Sequence, residues 1–279
     1  FAEANVIGVD ALELNGSGTI TSTAASNSDI VIGGSGNLCG DAKHGEGRGV
    51  ITTGSGGLCS GFVSTEGRTS LSPPDPGNVF TENDNGRFFG EDTKTGSVTW
   101  DSTTRTLSLG GNGALTLGGA NYGICRLVMD GNSNIYIAEG AVTRIWFDSP
   151  ENCGLAAGTA QMSMIGNSQI SVTSGEAGDA GLIFVGSATT PSTITLGGSG
   201  KANELMLYAP LSDVLVSGNG NYTGAIAGRT FVSTGSGTIR ADSSVLDFEV
   251  GVQTSFLPER FVECTGPLPA DSTPPDQGC

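Results

Sequence analysis

The chain carries one histidine, His44, in the run Asp41-Ala42-Lys43-His44-Gly45-Glu46. Imidazole is the side chain best suited to carry protons near neutral pH, so any Ser-His-Asp chemistry would have to run through it. No nucleophile elbow of the Gly-x-Ser-x-Gly kind, no phosphate-binding loop and no dinucleotide fingerprint stands in a suitable setting. His44 therefore reads as a solvated loop residue. Carboxylates are the next candidates. Glycoside cleavage needs two of them roughly 5–9 Å apart, which in a stacked β-fold means the same register on neighbouring coils. Asp130 lacks such a partner, because Gly110 and Ile165 hold the equivalent positions before Gly111 and Gly166. The chain is not expected to be an enzyme.

Other residue types could bind rather than react. Glu82, Asp84, Glu91 and Asp92 surround Gly86 and Gly90. Hard oxygen ligands so close together suit calcium, although the spacing is not that of an EF-hand loop and a solvated acidic loop is the competing reading. No other cofactor is expected. Trp100, Tyr122, Tyr136 and Trp146 would serve a glycan-binding groove if they were exposed together. Thr19, Thr21 and Thr23 alternate and Thr52-Thr53 follow one corner later, but they do not repeat at one register as an ice-binding array would. Asn15-Gly16-Ser17 and Asn221-Tyr222-Thr223 match the glycosylation acceptor pattern at Asn15 and Asn221.

Composition limits the partners. The formal charge is −16, from 28 acids and 12 bases. Such a field repels nucleic acid and anionic lipid. No run of about 18 apolar residues is present, so no membrane span is expected. No signal peptide is visible, and Phe1-Ala2-Glu3-Ala4 reads as the start of a mature or trimmed chain. The 6 cysteines form no C-x-x-C and have a single histidine for company, which removes the usual zinc sites. An even number of cysteines without metal spacing reads as three disulfides and an oxidising, extracellular location.

The elements that must position these residues are short strands. Between Thr106 and Ser149, apolar residues alternate with polar ones: Leu107 and Leu109, Leu115 and Leu117, Leu127 and Met129, Ile135 and Ile137, Ile145 and Phe147. That period puts one face in a core and the other in water. A corner of the form Gly-Ser/Asn-Gly/Ser recurs at Gly16, Gly34, Gly54, Gly111, Gly131, Gly166, Gly198, Gly218 and Gly235. Gly and Asn tolerate the positive φ of a sharp corner. Most steps are near 20 residues, and the longer gaps (54 to 111, 131 to 166, 166 to 198) read as three, two and two coils. The expectation is an all-β, right-handed β-helix, a β-solenoid with coils of about 20 residues. It spans residues 1–256, with a long excursion at 61–97 and with residues 247–256 covering the last open edge. Residues 257–279 form a proline-rich tail that can join neither sheet nor helix. Cys39 and Cys59 lie at the same place in adjacent coils, where strands stack about 4.8 Å apart, within disulfide reach. Cys125 and Cys153 are neighbours in sequence, and Cys264 and Cys279 would tether the tail.

The strings VTWDSTTRTLSLGGNGALTLGGANYGICRLVMDGNSNIYI, VTRIWFDSPENCG, MSMIGNSQISV and ELMLYAPLSDVLVSGNGNYTGAIAGRTFVSTGSGTI, between Thr99 and Glu249, resemble the PilX-type proteins of bacterial type IV pilus assembly. Leu207-Tyr208-Ala209-Pro210, Gly224-Ala225-Ile226-Ala227-Gly228 and Phe261-Val262-Glu263-Cys264 carry the resemblance most closely, and a Cys125–Cys153 pair fits it. The resemblance implies a repetitive solenoid domain and an extracellular structural or adhesive subunit. Its partners would be copies of itself or other pilus and surface proteins, with glycans as a further candidate. The rival reading is a carbohydrate-active enzyme or glycan-binding adhesin on the same scaffold. The N-terminus departs from the family, since FAEANVIGVD is not the hydrophobic helix with which such proteins begin. The excursion is the expected contact outside the solenoid, so that deleting residues 70–92 would leave a folded domain.

Overall fold

A computed structural model describes residues 4–68, 70–198 and 202–247. The first segment makes three successive rungs of three strands: β1 (Val6–Leu14), β2 (Thr19–Ile20) and β3 (Ala24–Ser26); β4 (Ile30–Ile32), β5 (Asn37–Leu38) and β6 (Ala42–His44); β7 (Val50–Thr52), β8 (Gly57–Leu58) and β9 (Val63–Thr65). A hairpin of β10 (Thr93–Asp101) and β11 (Thr106–Leu117) then opens the second segment. It continues through β12 (Asn121–Ile124), β13 (Arg126–Met129), β14 (Asn134–Ile137), β15 (Thr143–Phe147), β16 (Ala160–Met164), β17 (Gln169–Val172) and β18 (Ala180–Phe184). The last strands are β19 (Thr193–Leu196), β20 (Ala202–Val216), β21 (Asn221–Ser233) and β22 (Thr238–Arg240). The protein is all-β, and every pairing except β10–β11 is parallel, the arrangement of a solenoid-like stack.

Register explains the sequence pattern. One inward row runs Leu107, Leu127, Met162, Ile194, Val214, Phe231, Leu12, Ile30 and Val50, each the partner of the next. A second runs Tyr122, Ile145, Leu182, Leu207, Ile226, Val6, Ala24, Ala42 and Val63. Apart from the ends Val50 and Val63, these side chains are buried. Each large one contributes about 1.5–3 kcal/mol by leaving water, and like stacks on like because the strand period is two.

The rows also reveal an order that the repeat alone conceals. The second segment ends in β21 and β22, and β1 pairs directly with β21. The first corner therefore lies on the last, close enough that a Cβ on Gly16 would come within 2.1 Å of the Gly235 carbonyl oxygen. The edge of β21 and β22 is covered by β1 and β2; residues 248–256, expected to cover the last edge, lie outside the described residues. Residues 248–279, with the tail and Cys264 and Cys279, lie outside the described residues.

The long gaps are not whole coils. Ile135 pairs with Ile170 and Met162 with Ile194, so each gap is one rung enlarged by a loop. The gap from Gly54 to Gly111 joins opposite ends of the stack. At the corners the glycines and asparagines divide the work. Gly131 has φ 65° and no room for a Cβ, 2.6 Å from the Gly111 carbonyl oxygen. The asparagines are not in the positive-φ region. They form a ladder instead, Asn167 donating to Asn132 at 2.9 Å and Asn132 to Asn112 at 3.0 Å.

Candidate functional site

His44 is in β6 and buried, with Nδ1 3.0 Å from the carbonyl oxygen of Gly45. This corrects the solvated-loop reading: Ala42 and His44 point the same way on a strand, and Ala42 is in the core row. Its register partners are Ser26 and Thr65. Asp130 stands between Gly110 and Ile165 on the neighbouring rungs and accepts a bond from the Gly111 amide at 3.2 Å. Thr19 stacks between Thr238 and Asn37, so a threonine row does not continue into β5.

The acids at 82–92 act as a cap. The Asp84 amide donates to the Asn121 carbonyl oxygen at 2.7 Å, and its carboxylate accepts from the Asn121 amide at 2.9 Å. The Asn85 side chain does the same with both backbone groups of Gly123. Together these two residues imitate a missing strand along the free edge of β12. Asp92 is buried and accepts from the Tyr122 hydroxyl at 2.7 Å and the Gly118 amide at 3.1 Å, with the Arg87 guanidinium 3.4 Å away. Glu91 pairs with Arg87 and Glu82 with Asn78. Among the described residues no three acidic, Cys or His side chains converge as a metal cluster. The geometry thus gives Glu82, Asp84, Glu91 and Asp92 protein partners of their own.

The aromatic residues do not form a groove. Tyr122 is fully buried and stacks on Phe88 with ring centroids 4.9 Å apart. Trp146 is 6% exposed and donates to Asn121 at 3.2 Å. Trp100 packs half-buried against Phe88, and Tyr136 is half-buried between inward-facing Ile135 and Ile137. Asn15 and Asn221 are both exposed at strand ends; Asn15 donates to Glu13, and the Asn221 side chain accepts from the Thr238 amide. Cys39 is bonded to Cys59, with Cα atoms 4.5 Å apart, and Cys125 to Cys153 at 5.5 Å. The first is the bond that stacking register requires.

Two surfaces were not evident from the sequence. The first is a covered one. The outward row Trp146, Ile183, Tyr208, Ala227, Ile7 and Ala25 is apolar and would be wet on a bare stack. Leu71, Val79 and Phe80 pack along it. The Tyr208 hydroxyl donates to the Ser72 carbonyl oxygen at 2.7 Å, and the Arg105 guanidinium lies 5.4 Å from the Phe80 ring centre. Residues 66–68 and 70–84 are therefore a strap. They run from β9 at one end of the stack to β12 at the other, and do not project away from the solenoid as expected.

Burial pushes the Tyr208 phenol up to about 12, while in the unfolded chain it ionises near pH 10. The folded state thus holds this proton more tightly, and its contribution is complete below pH 10. Burial raises Tyr122 and Tyr222 as well. Denaturation series are expected to show stability falling as pH rises from about 10 to about 12, with a shallower fall in Tyr208→Phe.

The second surface is bare among the described residues. β7, β8 and β9 pair on one side only, with β4, β5 and β6. Ile51 is 44% exposed, Leu58 39%, Phe62 81% and Val63 47%. The opposite end carries β10, antiparallel on β11, and the Asp84–Asn85 cap.

Fold and surfaces define a protein built on one large, mainly parallel β-sheet of solenoid-like class, closed at one end and, among the described residues, open at the other. Residues 65–248 match the family described as "Domain of unknown function (DUF7305)", and the chain belongs to that family. The match begins at Thr65, the last residue of β9, and leaves β1–β8 outside it. No curated protein and no solved structure matches the chain.

Proposed function

We propose that the chain is an extracellular structural or adhesive subunit, associated with pili or surface filaments of the PilX type, that works through protein–protein contacts and not by catalysis. The observation that carries this reading is the asymmetry of the stack: one end is capped with polar groups and the other presents unpaired strands with apolar side chains. The resemblance between Thr99 and Glu249 supplies the pilus context. Two disulfides suit an oxidising compartment, and among the described residues no helix is long and apolar enough to cross a membrane. We read the stack as a right-handed β-helix with coils of about 20 residues. Pairs such as Leu115–Ile135 and Ile194–Val214 support the length, and the strong preference of parallel crossovers supports the hand. Its partners would be copies of itself or other surface proteins.

The test is to incubate the purified chain with pilus-bearing cells and, separately, with a panel of polysaccharides. Retention on the cell surface without polysaccharide turnover is expected. Turnover abolished by one Asp or Glu substitution would establish the enzyme reading instead.

A further inference from the structure

The open end has the properties of a joint. Of the seven large hydrophobic side chains exposed among the described residues, four belong to this end: Ile51, Leu58, Phe62 and Val63. Beside them lie the unpaired backbone edges of Val50–Thr52, Gly57–Leu58 and Val63–Thr65. A row of free N–H and C=O groups is satisfied by another strand edge, so the partner is a β-structure and not a small molecule. Three edges are presented together, and a partner that satisfies all of them must present three edges in return.

Charge narrows the choice. Residues 41–68 contain three acids (Asp41, Glu46, Glu66) and three bases (Lys43, Arg48, Arg68), in a chain whose net charge is −16. This end is neutral where the remainder is strongly acidic. Copies of the chain repel one another along their flanks and meet without repulsion here. The other end is not a matching template, because β10 runs antiparallel there with Thr93–Ser97 exposed and the β12 edge is already bonded by Asp84 and Asn85. Among the described residues the counterpart of the β7–β9 end is that same end of a second molecule.

We propose that two copies of the chain join end to end through β7–β9, related by a two-fold axis perpendicular to the stack. The interface is isologous and therefore closed. It makes a double-length rod, capped at both outer ends by β10, and not an open head-to-tail filament. The proposal rests on the structural-subunit reading and names the partner at its contact surface.

Sedimentation velocity on the full chain, disulfides intact, from micromolar to submillimolar concentration, tests it. The expected result is a two-chain species with no larger mass. Ile51→Lys combined with Phe62→Ser should weaken association at least about tenfold, with circular dichroism and thermal midpoint unchanged because both side chains are exposed. Should the double variant fail to fold, hydrogen exchange on the unmodified chain replaces it: the Val50–Thr52 amides should exchange faster on dilution. A monomer at every concentration, a mass that keeps growing with concentration, or a dimer that the folded variant leaves intact would each overturn the proposal. A monomer that turns over no polysaccharide would overturn the joint alone and leave the structural reading standing.

Discussion

Deleting residues 70–80 is expected to yield a chain that does not reach the native fold. β9 and β12 lie on the same side of the stack, separated by the ladder β9–β6–β3–β1–β21–β20–β18–β15–β12. Eight steps at about 4.8 Å put their edges about 38 Å apart. After the deletion, the residues left between Thr65 and Asp84 reach about 29 Å at most. The first three rungs could then stack on β21 only if the cap at β12 were released. The deletion would also uncover Trp146, Ile183 and Tyr208. Replacing residues 70–80 by a flexible Gly/Ser segment of equal length separates the two effects. That chain should fold with reduced stability, because reach is kept and only the apolar cover is lost. The measurements are soluble yield, circular dichroism and resistance to protease. A native-like, disulfide-bonded product from the deletion would show that β9 and β12 are not at opposite ends.

Ile135→Ala should cost about 2–5 kcal/mol in denaturant unfolding. Ile135 is fully buried in β14, stacked between Leu115 and Ile170 in an interior row that has no freedom to collapse onto the space left. Its neighbour Tyr136 points outward, half-buried between Thr116 and Ser171. Tyr136→Ser should therefore change the unfolding midpoint little. A large effect at Tyr136 with a small one at Ile135 would shift the pleat by one residue and turn every side chain of the strand to the other face.

Much of the fold was legible because stacking repeats its demands. An inward position asks for an apolar residue on every rung, so Leu115, Ile135 and Ile170 announce their register locally, and Cys39 and Cys59 announce theirs by place in the coil. What was not legible depended on contacts the repeat does not encode. The first corner and the last have the same form, and nothing in either says that Gly16 lies on Gly235. A gap filled by a loop and a gap filled by a further coil have similar lengths, as at Gly131 to Gly166. The acids at 82–92 looked like ligands because their true partners, the backbone of Asn121, the Tyr122 hydroxyl and Arg87, come from a corner and a hairpin that have no periodicity. The strap was read as an excursion for the same reason: its proline-rich composition excludes a strand but does not say which face it follows.

The strap, the open end and the joint all depend on one contact, the seating of β1 on β21. Glu13 and Val232 are register partners across it, both on the outward side. In the double variant Glu13→Cys, Val232→Cys, mild oxidation followed by non-reducing peptide mapping should give a linked peptide in high yield, since paired strands place Cα atoms within disulfide reach. Val31→Cys with Ile51→Cys, partners across β4 and β7, is the positive control. A link at the control pair with none between positions 13 and 232 would mean that the two segments are separate stacks, and would contradict the account.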